Sequence, residues 1–119
     1  MSRRDQPTTE SAELGRLRRR IDALDRRIVD LLNERAELAR AVGKAKTEAG
    51  RRAIRDLDRE REVLLRVAVS NDGPIPQADL LALYRRLFAA TRALEAADRR
   101  RAATGSARLA TSRKEPGDD

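Results

Sequence analysis

From Leu14 to Ala45 the apolar residues return every three or four positions: Leu14, Leu17, Ile21, Leu24, Ile28, Leu31, Leu38, Val42 and Ala45. One slot breaks the series, between Leu31 and Leu38, and it holds Arg35. A three-four alternation sustained over so many turns is the pattern of a helix that buries one narrow seam against other helices. No proline interrupts it, and Gly15 and Gly43 are its only glycines. At about 1.5 Å per residue the stripe spans roughly 47 Å. That is longer than a domain built from 119 residues is wide. Such a helix cannot cover its own seam, so it calls for partner helices, best supplied by a second copy of the chain.

The helix is expected to start near Thr9–Ala12, capped by Thr9 or Ser11, and to end around Glu48–Gly50, with Gly50 as the stop. A second helix is expected from Ile54 or Arg55 to Ser70, with Leu57, Leu64, Leu65, Ala68 and Val69 as its apolar positions. Asn71-Asp72-Gly73-Pro74 is a strong turn signal. Pro76 then suits the first turn of a third helix that runs to about Arg101. Its stripe reads Leu80, Tyr84, Leu87/Phe88, Thr91 and Leu94/Glu95. Residues 1–11 and 102–119 are polar and without periodicity, and are expected to be disordered. The reading is an all-α fold with a helical domain over 12–101.

Composition narrows the chemistry. There is no Cys, hence no disulfide, thiolate nucleophile or thiolate metal site. There is no His, which removes the commonest general base near neutral pH and the commonest metal ligand. Catalysis would have to run on carboxylates, Arg, Lys and hydroxyls. The N-terminal MSRRDQPTTES carries no apolar run of the secretory kind, and no segment approaches the roughly 20 apolar residues of a membrane span. The expectation is a soluble, cytoplasmic protein. Residues 1–11 hold two basic and two acidic groups, and 102–119 hold three of each. The whole net charge of +7 therefore lies within 12–101, which points to an anionic partner, either a small polyanion or nucleic acid.

Three polar residues occupy positions where the inner stripes call for apolar ones: Arg35 on the first helix, Thr91 and Glu95 on the third. The last two are one turn apart and share a face. A charge inside a helical core costs several kcal/mol unless something compensates it. The residues allow two answers: a buried structural pair of Arg35 with Glu95, or an enclosed polar pocket lined by Arg35, Thr91 and Glu95. Lys46 follows Arg35 by eleven residues, close to three full turns, so it faces the same side about 16 Å farther along. Arg18 precedes Arg35 by seventeen residues, roughly 25 Å. One small molecule could touch both only if Arg18 came from another subunit, and periodicity does not single it out from Arg16, Arg19 and Arg20.

Four segments then carry a resemblance. Leu17-Arg18-x-x-Ile21-Asp22-x-Leu24-Asp25, Asn33-Glu34-Arg35-x-Glu37-Leu38-Ala39 and Val42-Gly43-Lys44-x-Lys46 resemble the first helix of the all-helical (AroQ-class) chorismate mutase family. Arg55-Asp56-Leu57-Asp58-Arg59-Glu60-Arg61 resembles its second-helix motif. Together they cover about residues 12–101, in order and with near-family spacing.

The resemblance implies three-helix protomers intertwined as a homodimer, with the long first helices shared between two active sites. It also implies conversion of chorismate to prephenate on the route to phenylalanine and tyrosine. That Claisen rearrangement within one molecule needs no nucleophile, metal or cofactor. It needs the dianion held in its reactive conformer, with charge stabilised on the ether oxygen. By position, Arg18 of the partner chain and Arg35 would bind the two carboxylates, a task that suits the planar fork of Arg. Lys46 would donate to the ether oxygen and a neighbouring carboxylate. Glu60 would accept from the ring hydroxyl, aided by the backbone at Asp56, with Arg59 as a further contributor. Thr91 stands where the family usually has Ser, and Glu95 where it usually has Gln. An ionised Glu only accepts hydrogen bonds, so Glu95 is expected to be protonated when it acts, a state that burial favours and that Lys46 and Arg35 oppose.

Relatives on the same fold leave isochorismate pyruvate lyase and 4-amino-4-deoxychorismate mutase as alternatives. The complete second-helix motif favours the mutase acting on chorismate. A basic helical module for nucleic acid fits the charge, but two aromatic residues give no stacking platform for single strands. A purely structural dimerisation module leaves Arg35, Thr91 and Glu95 without a reason.

Overall fold

The computed structural model describes residues 9–51 and 55–114, with side chains described to 108. The described residues form three helices, α1 (Thr9–Glu48), α2 (Leu57–Ser70) and α3 (Gln77–Lys114). By its contacts the chain divides into two compact units, Met1–Leu38 and Ala39–Asp119. The division falls inside the segment 12–101 that the sequence reads as one domain. Its origin is the long seam. Leu14, Leu17, Ile21, Leu24, Ile28 and Leu31 are all exposed, between 43% and 58%, because the first unit offers them no second helix.

α1 ends where its sequence signal says, but it is already helical at Thr9, so Thr9 and Ser11 lie within its first turn instead of capping it. Its C-terminus closes with a paired 6→1 and 5→2 arrangement: Arg51 N–H donates to the Lys46 carbonyl at 2.9 Å, and Gly50 N–H donates to that of Thr47 at 2.9 Å. This cap needs a left-handed residue at its centre, and Gly50 supplies it at φ 76°.

α2 starts two to three residues later than the periodicity suggests. Asp56 takes the N-cap, its Oδ1 accepting from the Arg59 N–H at 3.0 Å, and a capping side chain fixes the first turn more firmly than an apolar count does. The inner face is also rotated from the expected one. Val63, Leu64, Val67 and Ala68 are half-buried, whereas Leu57, Leu65 and Val69 are exposed at 48%, 66% and 77%. The residues that pack share the face of Glu60 at i+3, i+4, i+7 and i+8.

The α2–α3 turn is tied by Asn71. Its Nδ2 donates to the Ile75 carbonyl and to Gln77 Oε1, and its Oδ1 accepts from Gly73 N–H at 2.9 Å. α2 packs on α3, where Phe88, 6% exposed, is the one buried apolar residue among those described. Tyr84 meets it edge-on at 6.2 Å. The expected α3 stripe (Leu80, Tyr84, Leu87, Phe88, Thr91, Leu94, Glu95) is half-buried or buried throughout. α3 does not stop at Arg101. Residues 102–114, expected to be disordered, are helical. They are rich in Ala and contain no proline before Pro116, and Gly105 alone costs a helix only about 1 kcal/mol. Thr9–Ser11, also expected to be disordered, form the start of α1, and residues 1–8 lie outside those described.

Candidate active site

The second unit brings the end of α1, the start of α2 and the middle of α3 together through charged groups. Lys46 sits in the last turn of α1, where a cation suits the helix dipole. Its Nζ lies 3.7 Å from Asp56 Oδ2, both side chains partly exposed. Among the described residues the Asp56 carboxylate thus meets the Arg59 N–H that caps α2 and the Lys46 ammonium.

Glu60 is the most enclosed charge in this set, its side chain 15% exposed. Arg55 reaches Glu60 Oε1 with Nη2 at 2.9 Å and Nε at 3.2 Å, and Arg92 reaches Oε2 with Nη1 at 2.6 Å. The Arg55 guanidinium, more than that of Arg92, holds the Glu60 carboxyl below its usual range, against the opposing effect of burial. Glu60 in turn raises the Arg55 pKa through the same hydrogen bond. Because Glu60 titrates lower in the folded chain, its contribution to stability is full above the ordinary carboxylate pKa of about 4.3 and is lost as pH falls through the folded value. Acid unfolding of a Glu60→Gln variant is therefore expected to be less steep below about pH 4.3 than that of the wild type, as followed by helical circular dichroism.

Glu95 lies against α1 at Gly43. A Cβ built there would stand 3.5 Å from Glu95 Oε1, so residue 43 sets the space over this carboxyl. Thr91, one turn earlier, donates its hydroxyl to the Leu87 carbonyl at 3.0 Å and keeps its lone pairs for an incoming donor. Arg59 is turned outward to Glu62 at 3.2 Å and is 54% exposed. In the first unit Arg35 is half-buried and Arg18 exposed, both on α1.

Lys46, Arg51, Arg55, Asp56, Leu57, Asp58 and Arg61 line an open hollow of about 390 Å³. Four of the lining side chains are cations and two are carboxylates, which suits a small anion. The sequence reading missed Arg92, Arg55 as a partner of Glu60, and a clamp of Arg40 on Asp98. In that clamp Nε and Nη2 each lie 2.9 Å from a carboxylate oxygen, and Arg40 foremost, then Arg101, lowers the Asp98 pKa. Arg92 had a local signal, a cation next to Thr91 on the inner stripe of α3. The Arg40–Asp98 pair had none, since 58 residues separate its members.

Fold and cluster together define an all-helical, three-helix protein with a largely cationic site where its helices join. Residues 17–96 match the family model of chorismate mutase type II. Among solved structures, a chorismate mutase (Form II) from Thermus thermophilus is similar over 70% of this chain and 93% of that one, at 34% identity and a TM-score of 0.66. Bifunctional chorismate mutase/prephenate dehydratases are also similar. That of Aquifex aeolicus is 39% identical over 87 residues, 70% of this chain, and that of Stutzerimonas stutzeri is 36% identical over 91 residues, 73% of this chain. The chain belongs to the chorismate mutase type II family. It spans about a quarter of the length of those bifunctional relatives.

Proposed function

We propose that the protein is a chorismate mutase, an isomerase that rearranges chorismate to prephenate in aromatic amino-acid biosynthesis, and that it works in the cytoplasm as a homodimer. The observation that carries this reading is the set formed by Lys46, Asp56 and Glu60, held together at the α1–α2 junction in a chain that belongs to this family. Arg35 and the partner subunit's Arg18 would bind the carboxylates. Lys46 and the Glu95 side chain would donate to the ether oxygen as its bond to the ring breaks, and Glu60 would accept from the ring hydroxyl. Thr91 and the backbone at Asp56 would complete the contacts, and Arg59 would join them only by leaving Glu62. The rate gain comes from orientation and from fixed positive charge at the oxygen. The exposed seam of α1 supports the dimer, since each Leu or Ile there is about half exposed and covering the remainder gains on the order of 1 kcal/mol.

Incubation of the purified protein with chorismate tests the reading. Loss of its ultraviolet absorbance with prephenate as product is expected, and no turnover of chorismate would overturn it. A second measurement bears on Glu95. If that side chain serves as a donor to the ether oxygen, Glu95→Gln, whose amide donates as well, remains active. A dead Gln variant would remove Glu95 from the donor role.

A further inference from the structure

Glu60 is approached by two guanidiniums, from different elements. Arg55 precedes the α2 cap and is 53% exposed, while Arg92 comes from the inner side of α3 and is 34% exposed. Two cations on one carboxylate leave this trio with a net charge of +1, and the neighbouring Lys46–Asp56 pair adds nothing to it. Arg55 Nε is shared between Oε1 at 3.2 Å and Oε2 at 3.3 Å, so three N–H groups engage the roughly four acceptor sites of the carboxylate. A further donor reaches Glu60 by displacing the long Nε contact to Oε2. That donor cannot bring a further positive charge without meeting Arg92 and Arg55. A neutral hydroxyl meets no such penalty.

We infer that Arg92 is a specificity-determining residue: by clamping Glu60 together with Arg55 it leaves the cluster cationic, so the site accepts a ring hydroxyl and rejects a ring ammonium. The inference rests on the reading above in which Glu60 receives the ring substituent. Arg92 acts through Glu60 and does not touch the reacting atoms, so it is a positioning residue. A bare carboxylate would hold an ammonium more tightly than a hydroxyl; the second guanidinium reverses that order.

The test compares kcat/KM for chorismate and for its 4-amino-4-deoxy analogue in the wild type, in Arg92→Gln and Arg92→Met, which remove the charge, and in Arg92→Lys, which keeps it. The wild type is expected to prefer the hydroxyl substrate. Both neutral variants should narrow that preference on the order of tenfold, the scale of one hydrogen bond to a charged group, while Arg92→Lys retains it. A merely structural Arg92 would lower both rate constants by one factor in every variant and leave their ratio fixed. That result overturns the inference while leaving the chorismate mutase reading intact. Failure of the wild type to convert chorismate overturns both. The Gln variant keeps a hydrogen-bond donor towards Glu60, so the comparison holds even where Met disturbs folding.

Discussion

Arg35→Ala is expected to lower kcat/KM for chorismate on the order of a thousandfold, with little change in helical content. Arg35 breaks an otherwise apolar stripe and is half-buried. A guanidinium binding a substrate carboxylate in two places supplies both charge and orientation. Arg18→Ala should be comparably damaging although its side chain is exposed in the single chain, because in the proposed dimer it would serve the partner's site. Mixing the two inactive variants discriminates sharply. Random re-pairing makes half of the dimers mixed, each with one intact and one doubly altered site, so about a quarter of wild-type activity returns. No recovery on mixing would place both arginines in one subunit's site.

Ile28→Asp should have the second largest effect. Ile28 lies mid-seam on α1 and is 51% exposed in the single chain. If a second copy covers it, the substitution puts an unpaired carboxylate into that interface, at a cost of several kcal/mol. The variant is expected to sediment as a monomer, to lose helicity and to show no mutase activity. A dimeric, active Ile28→Asp protein would mean that the seam is not the interface. Asp25, three residues away, already carries a carboxylate, and Asp25→Asn serves as the surface control.

Much of the fold could be read from local signals, since helices are local objects. The run of α1, the stop at Gly50 and the Asn71–Pro74 turn each depend on a few neighbouring residues, and all three stand where the sequence puts them. The rotation of α2 could not be read this way. Leu64 and Leu65 are equally apolar, and the choice between them is made by α3. The end of α3 was obscured by composition, because polar residues at 102–114 look like a tail although their Ala and Arg favour helix. Of the site, the family motifs mark Lys46, Asp56 and Glu60, but not that Glu60 is shared by Arg55 and Arg92. That arrangement joins residues 32 positions apart, and no periodicity spans such a distance.

The bare seam of α1 also has a consequence for how output follows abundance. Where each site draws a cation from another copy, working units form from pairs of encounters, and at scarce supply their number grows as the square of the chains present. Halving the copy number then removes more than half of the flux, and a tenfold dilution of a stock lowers the specific rate even though every polypeptide is intact.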